Sequence, residues 1–140
     1  MVSPIDVNWL AIVVATVSTM VLGMLWYGPL LGKRWMKAMG MDPNMMMDKA
    51  KRKEGNRAMM KMVPLAFLTA YVLAHFVDYT GSVTLRDGAQ CGFWIWLGFQ
   101  APLILQGRIF ENKKMELIYI NGSYQLAALM LQGAILASWA

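Results

Sequence analysis

Charge is scarce in this sequence. Asp, Glu, Lys and Arg make up 15% of its 140 residues, where about 25% is usual for a soluble domain. The 58% that are apolar exclude a disordered chain. A single cysteine, Cys91, forms no internal disulfide, which excludes a disulfide scaffold. A single histidine, His75, cannot furnish a His-rich zinc site, and no Cys-x-x-Cys accompanies it. No acid, base and nucleophile are grouped as a serine-type triad would need, so the chain is not expected to be an enzyme. The fourteen methionines, with Met20 and Met24 one turn apart, raise the question of thioether-bound Cu(I). Without a Cys or His partner they read as flexible apolar filler, and no cofactor or metal is expected.

What the sequence has instead is long apolar runs. About 20 apolar residues cross ~30 Å of hydrocarbon as a helix. Four segments qualify: Trp9 to Leu31, Met62 to Tyr79, Ala89 to Gly107 and Leu117 to Ala140. The first is preceded by Asp6 and followed by Lys33, Arg34 and Lys37, the reverse of a cleaved signal peptide. In lipid each segment must satisfy its own backbone, so helices rather than strands are expected. The fold expected is a single all-α membrane domain, 1–140, of four spanning helices.

Basic residues set the direction. Of thirteen, all but Arg86 fall at the ends of segments that would share one side of the bilayer, most of them in the connection 32–61. Basic loops stay cytoplasmic, so both termini are expected outside the cytoplasm of a bacterial inner membrane. Trp9, Tyr79, Trp94 and Trp139 would lie at the outer boundary, and Trp26, Tyr27, Trp35, Phe110 and Tyr119 at the inner one. The net charge of +5 is thus a topology signal, and no nucleic-acid partner is expected. Within the long connection, Gly40 suits a helix C-cap and Asp42-Pro43 a helix start. Asn44 to Met60 mixes methionines with Lys and Arg and predicts a short helix lying on the inner leaflet.

An internal echo is also present. Trp26-Tyr27-Gly28-Pro29-Leu30-Leu31 resembles Phe99-Gln100-Ala101-Pro102-Leu103-Ile104, and Tyr71-Val72-Leu73-Ala74 resembles Tyr124-Gln125-Leu126-Ala127. A parallel 2+2 repeat would place Pro29 and Pro102 alike, each breaking its helix near the cytoplasmic end.

The fourth segment carries the most informative pattern. Asn121, Gln125 and Gln132 fall within about 40° of one another on a helix, with Tyr124 flanking them. Amides facing lipid would lose their hydrogen bonds, so this stripe faces protein or a cavity. It serves either as the lining of a small-molecule site, with Gln100 and Trp96 from the third segment, or as interhelical glue against neighbouring helices. Ala11, Ala15, Thr19, Gly23 and Tyr27 recur at four-residue spacing, and the small ones form a ridge against another helix of the chain or a second subunit. His75 and Asp78 share a face near the outer boundary, and two readings stand: a proton-linked pair, or polar residues at headgroup depth.

Trp26-Tyr27-Gly28-Pro29-Leu30 with Gly32-Lys33 and Trp35, then Leu73-Ala74-His75-Phe76, Gly92-Phe93, Trp96-Leu97-Gly98-Phe99, Phe110-Glu111 and Ile120-Asn121-Gly122-x-Tyr124-Gln125-Leu126 resemble the domain-of-unknown-function 1761 family. The likeness runs over nearly the whole chain. It departs in Gly28, where serine is commoner, and in lacking a Phe before Gly32. The resemblance implies a small bacterial four-helix membrane protein and supplies no activity. The expectation is a homo-oligomeric bundle in the lipid bilayer that binds or passes a small-molecule ligand through an amide- and aromatic-lined pocket. The alternative is an accessory subunit that packs against a larger membrane partner.

Overall fold

A computed structural model describes residues 6–42 and 49–139, and among these the chain is helical with no strand. Helix α1 (Trp9–Leu25) starts at Asn8, whose side chain accepts the Ala11 N–H at 3.2 Å. It passes into a π-helical turn, Trp26–Leu30, closed by the Leu31 N–H donating to the Trp26 carbonyl at 2.9 Å. A short α2 (Gly32–Ala38) follows. Its end is closed by Gly40 at φ +76°, with the Gly40 and Met41 N–H groups donating back to Lys37 and Met36. Only a residue without Cβ adopts that left-handed angle cheaply.

Helix α3 (Lys49–Tyr79) is 31 residues long, about 46 Å at 1.5 Å per residue. After the turn at Gly81 come α4 (Leu85–Ile95), a second π-helical turn (Trp96–Gln100), α5 (Ala101–Phe110) and α6 (Met115–Ser138).

Helix α6 is the hub, touching α1, α3, α4 and α5. Its closest neighbour is α4. A methyl group on Gly88 would collide with the Gly133 carbonyl and the Ala137 side chain. One on Gly92 would collide with the Leu129 backbone, and one on Gly133 with the Gly88 carbonyl. The two backbones are therefore in contact, as small residues one turn apart permit. Ala11, Ile12 and Ala15 of α1 meet Ala70, Leu73 and Val77 of α3 and Leu129, Leu136 and Ala137 of α6 in the core. The ridge Ala11, Ala15, Thr19, Gly23 is buried within the chain. The buried hydroxyls of Thr16 and Thr19 donate to the carbonyls of Ile12 and Ala15, each at 2.8 Å.

Two helical stretches, Trp9–Leu30 and Lys49–Tyr79, are long and apolar enough to cross a membrane. Only 33% and 17% of their most apolar windows are buried, whereas the core helix of a soluble domain is mostly covered. Outward lie Leu10, Val13, Val17, Val21 and Met24 on α1, and Leu65, Leu68, Val72 and Phe76 on α3. The other two expected segments are more polar: Asn121, Gln125 and Gln132 dilute α6, and Gln90, Gln100 and Gln106 dilute the stretch through α4 and α5.

The connection 32–61 differs from expectation. Lys49 to Met60 is the first part of α3 rather than a separate helix; residues 43–48, with Pro43, Asn44 and the Met45 to Met47 run, lie outside those described. The physical reason is that Lys, Arg, Met and Ala all favour helix. Gly55 is tolerated, and Pro64 removes one backbone bond without ending the helix. The two halves of the expected repeat both carry a π-helical turn, but they pack differently: α4 lies along α6, while α1 divides its contacts between α3 and α6. The second turn also precedes Pro102, whereas the first contains Pro29.

Candidate functional site

The amide stripe of α6 is divided by height along the helix. At its lower end Asn121 is engaged: Tyr27 Oη donates to Asn121 Oδ1 at 2.7 Å. The Tyr27 ring meets Tyr124 edge-on at 5.2 Å and Trp35 at 5.5 Å. Trp26 Nε1 donates to the Ile120 carbonyl at 3.2 Å and Trp96 Nε1 to the Gly122 carbonyl at 3.0 Å. These two tryptophans open the two π-helical turns and pin both to α6. Asn121 and Trp96, expected in the pocket lining, act here as clamps between helices. Tyr27→Phe should keep the ring contacts and leave Asn121 Oδ1 half-buried without its donor. A loss of about 1–2 kcal/mol is expected, read as a lower unfolding temperature in detergent.

Above the clamps the helices part. A cavity of about 330 Å³ lies between α1, α3 and α6. Gln100, Tyr124, Gln125 and Gln132 line it, joined by Thr19, Met20, Gly23 and Tyr27 on one side and Met59, Met62, Leu65, Ala66 and Thr69 on the other. Tyr124 Oη donates to the Thr19 carbonyl at 3.3 Å, across the space that Gly23 leaves free. No charged side chain lines the cavity.

Gln132 is the deepest polar group of the wall, 1% exposed. Its Nε2 donates to the Ala66 carbonyl of α3 at 3.4 Å. That acceptor orients the amide, leaving Oε1 buried with no hydrogen-bond partner. A buried acceptor left open costs about 1–3 kcal/mol. The Nε2 bond is long, and the terminal torsion of glutamine is broad. Gln132 is itself part of the cavity wall, so this open acceptor belongs to the side chain that a molecule in the cavity would meet.

His75 and Asp78 are not joined to each other by a hydrogen bond or ion pair. His75 Nδ1 lies 2.9 Å from the Tyr71 carbonyl, and its ring sits edge-on to Tyr71 at 4.8 Å and Tyr79 at 6.1 Å. Trp9 stacks on Tyr71 at 5.7 Å. Asp78 is exposed and borders a smaller cavity of about 140 Å³ at the opposite end of the bundle, with Asp6, Asn8 and Ser82. Among the described residues no three His, Cys, Asp or Glu side chains gather as a metal site would need.

The family model described as Protein of unknown function (DUF1761) matches residues 10–137. The chain belongs to this family. The match takes in every residue of the 330 Å³ cavity and both tryptophan clamps. Comparison with curated proteins and with solved structures finds no match.

The sequence alone does not single out Thr69, which lines the cavity, or the packing role of the glycines at 88, 92 and 133. The Gly88-x-x-x-Gly92 spacing was the available signal for the α4–α6 contact.

Proposed function

We propose that this protein is an integral membrane bundle that binds or passes a small molecule in the cavity between α1, α3 and α6. Four stretches cross the bilayer in this reading: α1, the apolar part of α3, the stretch through α4 and α5, and α6. The basic end faces the cytoplasm and both termini lie outside it. The outward apolar faces of α1 and α3 support a lipid surround, since soluble proteins rarely expose apolar patches of such extent. The amides of α6 turn inward, where their polarity is tolerated.

The observation that carries the ligand reading is Gln132, a fully buried amide whose acceptor is unmet beside an uncharged cavity of small-molecule size. Extraction into lipid nanodiscs followed by native mass spectrometry tests it. A small molecule is expected to accompany the wild type and to be lost in Gln125→Leu, with both proteins folded. No bound species, and no thermal stabilisation by a lipid-soluble extract, sinks the reading.

A second reading keeps the chain as an accessory subunit whose helix rotations, fixed internally by the clamps at Asn121, Trp26 and Trp96, present its exposed apolar faces to a larger partner. It expects a stoichiometric protein in mild-detergent pulldowns, released by Asn121→Leu.

A further inference from the structure

The walls of the cavity differ in what lies behind them. Thr19, Ala128, Leu129 and Gln132 are buried in the bundle. Met62 and Leu65 line the same cavity yet are 44% and 54% exposed, and Thr69 is exposed as well. Helix α3 packs on α1 and α6 and makes little contact with α4 and α5, so the cavity opens sideways between α3 and Gln100. Met62, Leu65 and Thr69 occupy the first turns after Lys61, the last basic residue of α3. In a spanning bundle this opening faces hydrocarbon, just below the headgroups of the basic-end leaflet.

We infer that the cavity takes a neutral, membrane-dissolved amphiphile that arrives through the opening between α3 and Gln100 and donates a hydrogen bond to Gln132 Oε1. This rests on the small-molecule reading above and names the class of ligand. A membrane-dissolved molecule is concentrated in the hydrocarbon in front of this opening, whereas a solute confined to water is not. A cation would find no carboxylate in the lining and an anion no basic group. The unmet atom is an acceptor, so the ligand supplies a donor, of which a hydroxyl is the simplest neutral kind. A volume of about 330 Å³ is near the lower bound of drug-sized pockets, about 300–1,000 Å³. It holds a polar head with a short chain, and longer tails stay in the leaflet. A free lipophilic alcohol and a hydroxyl-bearing lipid share this chemistry.

The test is photolabelling of the full chain in phosphatidylcholine vesicles, a lipid whose headgroup donates no hydrogen bond. The probe is octanol carrying a diazirine, and adducts are mapped by mass spectrometry. Adducts are expected on Met62, Leu65 and the facing turns of α6, displaced by 1-octanol. Its methyl ether, 1-methoxyoctane, should compete roughly five- to tenfold more weakly, the worth of one hydrogen bond. Gln132→Met should cut labelling by a similar factor. Leu65→Trp, at an exposed position that does not threaten folding, should block the opening and remove the adducts. Stronger competition by diacylglycerol than by octanol assigns the site to a lipid, and the reverse to a free alcohol. The ether competing as well as the alcohol overturns the donor assignment. Glycerol displacing a cavity label that octanol cannot displace overturns the lateral route, while the small-molecule reading stands. No adduct on the cavity walls, with no copurifying species in the nanodisc experiment, overturns both.

Discussion

Gly88→Leu is expected to abolish the folded protein. Helices α4 and α6 meet backbone to backbone at Gly88, Gly92 and Gly133, and even a methyl at Gly88 collides with the Gly133 carbonyl and Ala137. A flexible side chain could swing aside, but a carbonyl inside a helix cannot. The helices would have to separate along their whole length. Overpacking by one or two methylenes costs about 1–3 kcal/mol in an ordinary core. Gly88→Ala should fall in that range, and leucine should exceed it, approaching the about 5–15 kcal/mol that holds a whole domain. The measurement is recovery as a single species on size exclusion in mild detergent, with tryptophan fluorescence to follow melting. Gly98→Ala is the control, because nothing lies within 4 Å of a methyl at that position. A Gly88→Leu protein that melts like the wild type would show that α4 and α6 do not meet in this register.

Gln132→Glu should be nearly as damaging, for an electrostatic reason. The side chain is 1% exposed, and its Nε2 is the donor that meets Ala66. A carboxylate would set a negative oxygen against the Ala66 carbonyl and strand a charge in the bundle. An uncompensated charge in a helix-bundle interior costs several kcal/mol. A protonated acid restores the donor, so the loss should be smallest in acid and grow as pH rises. Gln132→Met, uncharged and of similar length, should cost only about 1 kcal/mol. A pH series of unfolding temperatures for the three proteins separates charge from packing. Equal losses for the Met and Glu variants would show that Gln132 is not buried as described.

What sequence could reveal here divides along physical lines. Patterns internal to one helix were readable: the apolar run of α1, its ridge from Ala11 to Gly23, and Gly40 as a helix stop. The helix expected over Asn44 to Met60 is separated from the second apolar segment by a hydropathy change near Met62 that backbone propensity does not share. A helix made of Lys, Arg and Met continues across that boundary without interruption. Gly88 is hidden for a related reason: it falls just outside the third apolar segment, which starts at Ala89, so hydropathy does not pair it with Gly92. The amide stripe shows the limit most clearly. Angular arithmetic puts Asn121, Gln125 and Gln132 on one face, but what each meets depends on the neighbour at its own height. Tyr27 stands opposite Asn121 and occupies it, whereas Ala66 offers Gln132 a single carbonyl and leaves its oxygen over. No periodicity within α6 contains that information.

The unbroken run of α3 has a mechanical consequence. In the spanning reading some 30 Å of its 46 Å can be submerged in hydrocarbon, so about ten residues at the Lys49 end would project beyond it on the same continuous helix. Pivoting the rod by roughly 10° about its Tyr79 end sweeps the lysine-bearing tip about 8 Å sideways. With α3 spanning a bilayer, a pull on this charged tip in the aqueous phase would therefore reach the wall that carries Met62, Leu65 and Thr69.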